Sequence, residues 1–269
     1  MVFKRKDFGN MKMNAEDKLR GRVALVTGAA GRGIGRATAY ALGLAGASVI
    51  VNTRRSIAEA ENVAAQLREL GNTAVAIQAD ITDEKEVDMM LDSAANSIGV
   101  PDIVVIGPGG SWNPTPLDQV DSDKWEQNIV AETSSMLFIC RKLLPTMQIN
   151  RLGNIVAISG YGANEWNISP DEGPYDYALG KTNRDWLMRQ FAKTYAKYGI
   201  AINTVAPGPV HRISNEDVLP ALRDGIFPDP NMERPNQVDV AEAIVWLCSQ
   251  RTVTGTIVNL PGPNPGSVI

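Results

Sequence analysis

Val23-Ala24-Leu25-Val26-Thr27-Gly28-Ala29-Ala30-Gly31-Arg32-Gly33-Ile34-Gly35 passes from four apolar residues into a turn crowded with glycine, and then into an alanine-rich, helix-period run over 36–45. The apolar residues read as a buried strand. Glycines let the following backbone approach a ligand closely and aim its N–H groups at an anion, while the next helix contributes the positive end of its dipole. A diphosphate is the natural occupant. Glycine also serves plain tight turns, but this cluster heads a chain that keeps alternating strand and helix, where a dinucleotide-binding unit places its first crossover. Gly28, Gly31, Arg32, Gly33 and Ile34 are therefore candidate cofactor-binding residues.

The 269 residues, 44% of them hydrophobic, are enough for one large core, so we expect a single domain over 21–269 behind a loose arm at 1–20. With 26 basic and 30 acidic residues the net charge is −4, and neither a basic stripe nor a bilayer-length apolar run is present. Nucleic acid and membrane partners are disfavoured. No secretory n-region and h-region opens the sequence, and Cys140 and Cys248 each sit in an apolar helical pattern, which fits a reducing cytoplasm. A lone His211 and two distant cysteines give no zinc-site spacing, so no metal is expected. His211 reads as a loop residue.

Further along, 48–53 reads as a second strand that ends in Asn52-Thr53-Arg54-Arg55. Dinucleotide folds place an acidic residue here for the adenosine 2′-hydroxyl. Two arginines without a carboxylate suit a 2′-phosphate instead, with Arg32 approaching from the glycine turn, so NADP(H) is favoured over NAD(H). Ser56 to Glu59 has the capping-box pattern for a helix to Leu70, and 73–78 is a third strand leading to Asp80-Ile81, where Asp80 either accepts from the adenine amino group or caps the next helix. A helix over 83–98 precedes a fourth strand, 103–106, which breaks at Gly107-Pro108-Gly109-Gly110 on the cofactor edge. A long helix then runs to a break at Leu144-Pro145. Strand five covers 154–159, a helix 175–198, strand six 200–205, a variable stretch 211–236, a helix 238–249 and strand seven 256–260. The expected fold class is α/β: a Rossmann-type, doubly wound, seven-stranded parallel sheet with helices on both faces. Loops at about 160–174 and 209–236 would border the substrate.

Tyr177 and Lys181 are four residues apart and share one helix face. A phenol titrates near pH ~10, but an adjacent ammonium and a cationic nicotinamide stabilise the phenolate. Such a tyrosine can protonate a carbonyl oxygen. Thr27-Gly28 to Gly33-Ile34-Gly35, Asp80-Ile81, Tyr177 to Lys181, Asn203 with Pro207-Gly208, and Leu260-Pro261-Gly262 together resemble the classical short-chain dehydrogenase/reductase (SDR) family over residues 20–263. The resemblance implies Tyr177 as acid/base, Lys181 on the nicotinamide ribose lowering the tyrosine pKa, and Pro207, Gly208 and Val210 beside the nicotinamide. It also implies a homo-oligomer, a tetramer or dimer, packed through helices 123–144 and 175–198.

The departures are equally specific. Four residues rather than three separate Thr-Gly from Gly-Ile-Gly, and Ile106-Gly107-Pro108-Gly109 stands where the family has Asn-Asn-Ala-Gly. The family's helix-four asparagine falls on Glu132, which pairs with Lys181, serves the proton relay itself or replaces the amide structurally. The family's Ser-Ser becomes Ser159-Gly160, so Ser159 reaches substrate only if the strand end shifts by one residue. The leading expectation is NADP(H)-dependent hydride transfer between nicotinamide and a carbonyl or secondary alcohol, with Tyr177, Lys181, Ser159 and Glu132 at the site. Its rivals are a non-redox isomerase, dehydratase or cyclase working through Glu132, and a dinucleotide-binding protein without turnover.

Overall fold

The computed structural model describes residues 18–107, 109–160, 173–225 and 234–262. Seven strands form one sheet, β1 (Val23–Val26), β2 (Ser48–Thr53), β3 (Ala74–Gln78), β4 (Ile103–Ile106), β5 (Gly153–Ile158), β6 (Ile200–Pro207) and β7 (Ile257–Leu260). The helices are α1 (Ile34–Leu44), α2 (Ile57–Glu69), α3 (Glu84–Ser97), α4 (Ser122–Asn150), α5 (Tyr175–Tyr195), α6 (Asn215–Asp224) and α7 (Gln237–Ser249). Spatial order is β3-β2-β1-β4-β5-β6-β7 and every pairing is parallel, so the Rossmann-type sheet is as expected.

The central strands are unbroken apolar runs because helices cover both faces. Val49, Ile50 and Val51 are all fully buried, yet they serve opposite sides. Ala24, Val26, Val49, Val51 and Val105 pack with α1, α2 and α7, whereas Leu25, Ile50, Val104, Ile106 and Ile155 pack with α3, α4 and α5. Val26 is in register with both Val51 and Val105, which puts the order reversal at the end of β1. Ligands of open α/β sheets bind in the crevice at that switch point.

Several local readings change. Leu19 is 1% exposed and its N–H bonds Ala45 O at 2.9 Å, so the packed fold already includes part of the expected arm. Pro145 does not end its helix: α4 continues to Asn150 because Leu143, Leu144 and Met147 are buried on both sides of the missing hydrogen bond. Ser56 makes no side-chain cap, and Glu59 is drawn instead to the buried Arg36, 2.9 Å away. The variable stretch contains α6, capped by Ser214 on the N–H of Asp217. Residues 1–17, most of the expected 160–174 loop and part of the 209–236 loop lie outside the described residues, as does Pro108.

Candidate active site at the sheet switch point

At the β1–α1 turn, Thr27 Oγ1 donates to Val105 O at 3.3 Å and accepts from the Gly107 N–H at 3.0 Å, joining the ends of β1 and β4. Gly28 has φ +63°, and a Cβ on Gly35 would sit 2.6 Å from Gly28 O. Those two positions need glycine for conformation and for closeness. The lengthened spacer is exposed at Gly31 and Arg32 but anchored beneath. Buried Arg36 holds it, donating from Nη2 to Ala30 O at 2.7 Å and from Nε to Gly31 O at 3.0 Å. Gly31 and Gly33 have open space where a side chain would project, and α1 begins at Gly33 without a side-chain cap. These are the conditions under which a helix start binds a diphosphate, so the residues present fit a dinucleotide.

The adenosine end is reassigned in part. Asn52 is 2% exposed; its amide donates to Ala79 O at 3.1 Å and to Ile77 O at 3.4 Å, and its Oδ1 accepts from Gly28 N at 3.4 Å. Thr53, also buried, accepts from Ser56 N at 3.2 Å. Asn52 thus ties the ends of β1, β2 and β3 together, and Thr53 steadies the turn into α2. Arg32, Arg54 and Arg55 are exposed beyond them. Arg54 Nη1 lies 3.9 Å from Asp80 Oδ2, and the other Asp80 oxygen accepts from Thr82 N and Oγ1 at 2.9 and 2.7 Å. Ile81 is buried in the α3 side of the core, and Asp83, not Asp80, caps α3.

On the other side of the switch point, β4, α4 and α5 meet at Glu132. Its side chain is fully buried. Oε1 accepts from the Gly110 N–H at 2.8 Å and lies 3.1 Å from Lys181 Nζ, while Oε2 lies 2.9 Å from Arg184 Nη2. Fully buried Arg184 also donates to Ile158 O at 2.9 Å, to Glu132 O at 3.2 Å, and to Ile106 O and Gly107 O at 3.3 Å. Of the readings open for Glu132, pairing with Lys181 is the one observed. Room for it comes from two glycines. A Cβ on Gly109 would overlap the carboxylate, and one on Gly180 would sit 2.6 Å from Glu132 Cγ. Gly109 thus owes its identity to Glu132 as much as to any ligand.

Tyr177 sits over this cluster, with Lys181 Nζ 5.2 Å from its ring centroid and the Trp112 ring edge-on at 5.5 Å. Burial and the Glu132 charge push its phenol up to about 12, with Arg184 acting in the opposite direction. Lys181 and a cationic nicotinamide were expected to lower it; Glu132, 3.1 Å from the ammonium, acts in the opposite direction. Burial and Arg184 bring Lys181 down to about 8 against the pull of Glu132. Lys181 Nζ also donates to Ile158 O at 3.3 Å. Ser159 is directed to α5, where its single hydroxyl proton is shared between Lys181 O, 3.4 Å away, and the Asp185 carboxylate. Strand alternation accounts for this, since the next position, with the opposite facing, is Gly160.

A cleft of about 490 Å³ opens beside Trp112, walled by the β4–α4 connection, the start of α4 and the start of α5; Asn113, Lys124, Asn128 and Asp176 line it. Gly173, from the expected 160–174 loop, also lines it, while the β4–α4 connection was not among the segments expected to border the substrate. Across the site Pro207 ends β6, Gly208 N donates to Leu260 O at 2.9 Å, and a Cβ on Gly208 would sit 3.0 Å from Pro261 O. Val210 packs against the core, and His211 is an exposed loop residue. Among the described residues no group of three His, Cys, Asp or Glu side chains is arranged for a metal, and no helix is long and apolar enough to cross a membrane.

A parallel sheet reversing at β1, a glycine turn on one side and a Tyr-Lys helix on the other define an α/β protein built to hold a dinucleotide at its switch point. The chain belongs to the short chain dehydrogenase family, which matches residues 22–219, and is an oxidoreductase of that type. It is 36% identical over 245 residues to short chain dehydrogenase/reductase AacuN of Aspergillus aculeatus, covering 86% of this chain and 90% of that one. It is 34% identical over 250 residues to cis-4-hydroxycyclohexanecarboxylate dehydrogenase of Sinomonas cyclohexanicum, covering 90% and 95%. Among solved structures, 7α-hydroxysteroid dehydrogenase complexed with NADH and 7-oxo glycochenodeoxycholic acid superposes with a TM-score of 0.79 at 27% identity, covering 94% of this chain and 98% of that one.

Proposed function

We propose that the protein is an NADP(H)-dependent reductase of a carbonyl compound, with Tyr177 as the proton donor. The observation that carries this reading is the placement of Lys181 Nζ 5.2 Å from the Tyr177 ring centroid, one turn on along α5 at the sheet switch point. Gly28, Gly31 and Gly33 at the β1–α1 turn would hold the diphosphate of a dinucleotide, which when bound would supply or accept the hydride. Tyr177 delivers its proton to the substrate oxygen as negative charge develops there, and Lys181 keeps a cation beneath the ring. Ser159 is committed to α5 and takes no part in this reading. Glu132 holds Lys181 in place and does not touch substrate, which disfavours the isomerase, dehydratase and cyclase alternatives that needed a free carboxylate.

Cofactor preference rests on Arg32, Arg54 and Arg55, three exposed guanidiniums beyond the β2 end with no carboxylate in the Asn52-to-Arg55 run. The reacting compound is a small molecule entering beside Trp112. By analogy with the relatives' names, a secondary alcohol on a ring is a reasonable class to assay first. Helices α4 and α5 carry the exposed apolar residues Val130, Leu137, Leu179 and Trp186, which supports self-association. The reading is tested by following NADPH absorbance against cyclic and open-chain ketones. Tyr177→Phe is expected to lose roughly 100- to 10,000-fold in kcat while still binding NADPH; undiminished turnover would remove Tyr177 as the acid.

A further inference from the structure

Glu132 raises an electrostatic problem that the fold has to resolve. A carboxylate 3.1 Å from Lys181, in a site where both side chains are at most 5% exposed, cancels most of the ammonium's field at the Tyr177 ring. Poor screening makes that cancellation count. Arg184 reaches the same carboxylate from below at 2.9 Å, itself fully buried, three residues after Lys181 on α5. It also donates to the carbonyls of Ile106, Gly107, Glu132 and Ile158, which are neutral. Two cations and one anion leave the cluster with the single positive charge that a lysine alone would have provided.

We propose that Arg184 is a positioning residue whose charge compensates Glu132, so that the buried Lys181-Glu132-Arg184 cluster presents one net positive charge to Tyr177. The inference rests on Tyr177 acting as the acid. Of the other charged groups near the cluster, Asp176 at the start of α5 is bonded to Asn128 of α4 and to the Tyr177 N–H, and Asp185, by Ser159 at the end of β5, interacts with Lys181, Arg184 and Arg189, whereas the charges that act on the phenol itself are those of Glu132 and Arg184. Glu132 and Arg184 act on the phenol with opposite sign, the first raising it and the second lowering it. Gly109 and Gly180, which give Glu132 its space, belong to the same arrangement.

The test is the pH dependence of kcat in four variants, with NADPH binding as a control. Arg184→Met leaves a neutral Lys-Glu pair, and the limb reporting Tyr177 is expected to move up by about one pH unit or more. Arg184→Lys keeps the charge and is expected to leave the limb in place. The double variant Arg184→Met with Glu132→Gln returns the cluster to one positive charge, so the second loss should undo the shift produced by the first. A structural role predicts the reverse, with the double variant worse than Arg184→Met. No shift in Arg184→Met, or no recovery in the double variant, overturns the proposal. Should Arg184→Met fail to fold, Arg184→Lys and the double variant must still superimpose on the wild-type profile, and a displacement of either by a full pH unit is equally fatal. Tyr177→Phe distinguishes the two levels: if that variant retains turnover the acid assignment is wrong, whereas a dead Tyr177→Phe with unmoved profiles elsewhere rejects the compensation alone.

Discussion

The turn after β1 and the seam where β4, α4 and α5 meet each contain a buried arginine that gathers backbone carbonyls, and the two arginines differ in what becomes of their charge. Arg36 takes Ala30 O and Gly31 O, and its ionic partner Glu59 has a side chain 57% exposed, so water shares in balancing it. Arg184 takes four carbonyls and pairs with a carboxylate that has no exposure at all. The first arrangement is a mechanical clamp on a lengthened loop. The second is an electrostatic balance, because a buried charge left without its counterpart is strongly penalised. One residue type, used twice on the same sheet edge, therefore predicts different failures.

The sharpest contrast comes from glycines. Gly180→Ala would put a Cβ 2.6 Å from Glu132 Cγ and 2.9 Å from its Cβ, between two helices that cannot both shift. A loss of about 3 kcal/mol is expected, seen as a melting temperature lower by roughly 5 to 10 °C. Gly31→Ala meets no atom within 4 Å and has an ordinary φ, so its melting temperature should match wild type while dinucleotide affinity falls as the turn loses its open face. Similar melting losses in both would mean that the seam is no more tightly built than the turn.

Arg36→Met breaks the clamp. Two carbonyls lose a charged donor and the four-residue spacer loses its anchor, for about 2 kcal/mol of stability together with weaker NADPH binding. The Tyr177 limb of the pH profile should not move, since Arg36 is on the α1 side of the sheet. If it did move, the division between clamp and balance would be wrong.

The same division marks how much was legible in the sequence. β1, its glycine turn and the parallel sheet were readable because each depends on neighbouring residues: apolar runs of strand length, glycines at fixed spacing, helices of regular period. Tyr177 and Lys181 were readable because one helical turn joins them. Arg36 follows the glycine turn directly, but its partner Glu59 looked like half of a capping box. Arg184 gave no local signal at all. In the polar run Lys181-Thr182-Asn183-Arg184-Asp185 it is indistinguishable from a solvated residue, and its partner is 52 positions earlier in the chain. The structural bonds of Asn52 and Thr53 were not legible either, because a polar residue at a strand end gives no sign of whether it closes the ladder, as Asn52 does, or a turn, as Thr53 does.

A smaller effect concerns the adenosine end of the dinucleotide, where Arg54 and Arg55 are exposed rather than buried. Replacing both with alanine should therefore leave the melting temperature within about 1 °C. NADPH is expected to weaken roughly tenfold or more, about 1.4 kcal/mol, with NADH nearly unchanged. Equal losses for the two dinucleotides would show that these guanidiniums do not read a 2′-phosphate.

The smallest expected change lies at the margin of the seam and asks whether its charges are arranged for stability. Asp185 is held up at about 6, chiefly by burial, although Ser159, Arg189, Lys181 and Arg184 all pull the other way. A carboxyl whose folded pKa exceeds its unfolded value binds more protons folded than unfolded between those two values, so this group costs stability as pH rises through that window. The cost is absent below about pH 4 and complete above about pH 6. Asp185→Asn should therefore raise stability by about 1 kcal/mol at pH 7 and leave it unchanged at pH 3.5. Thermal melts at the two pH values check this. A variant less stable at pH 7 than at pH 3.5, relative to wild type, would mean that the ionised carboxylate is a supporting member of the cluster, and the charge count for Lys181, Glu132 and Arg184 would have to be extended to include it.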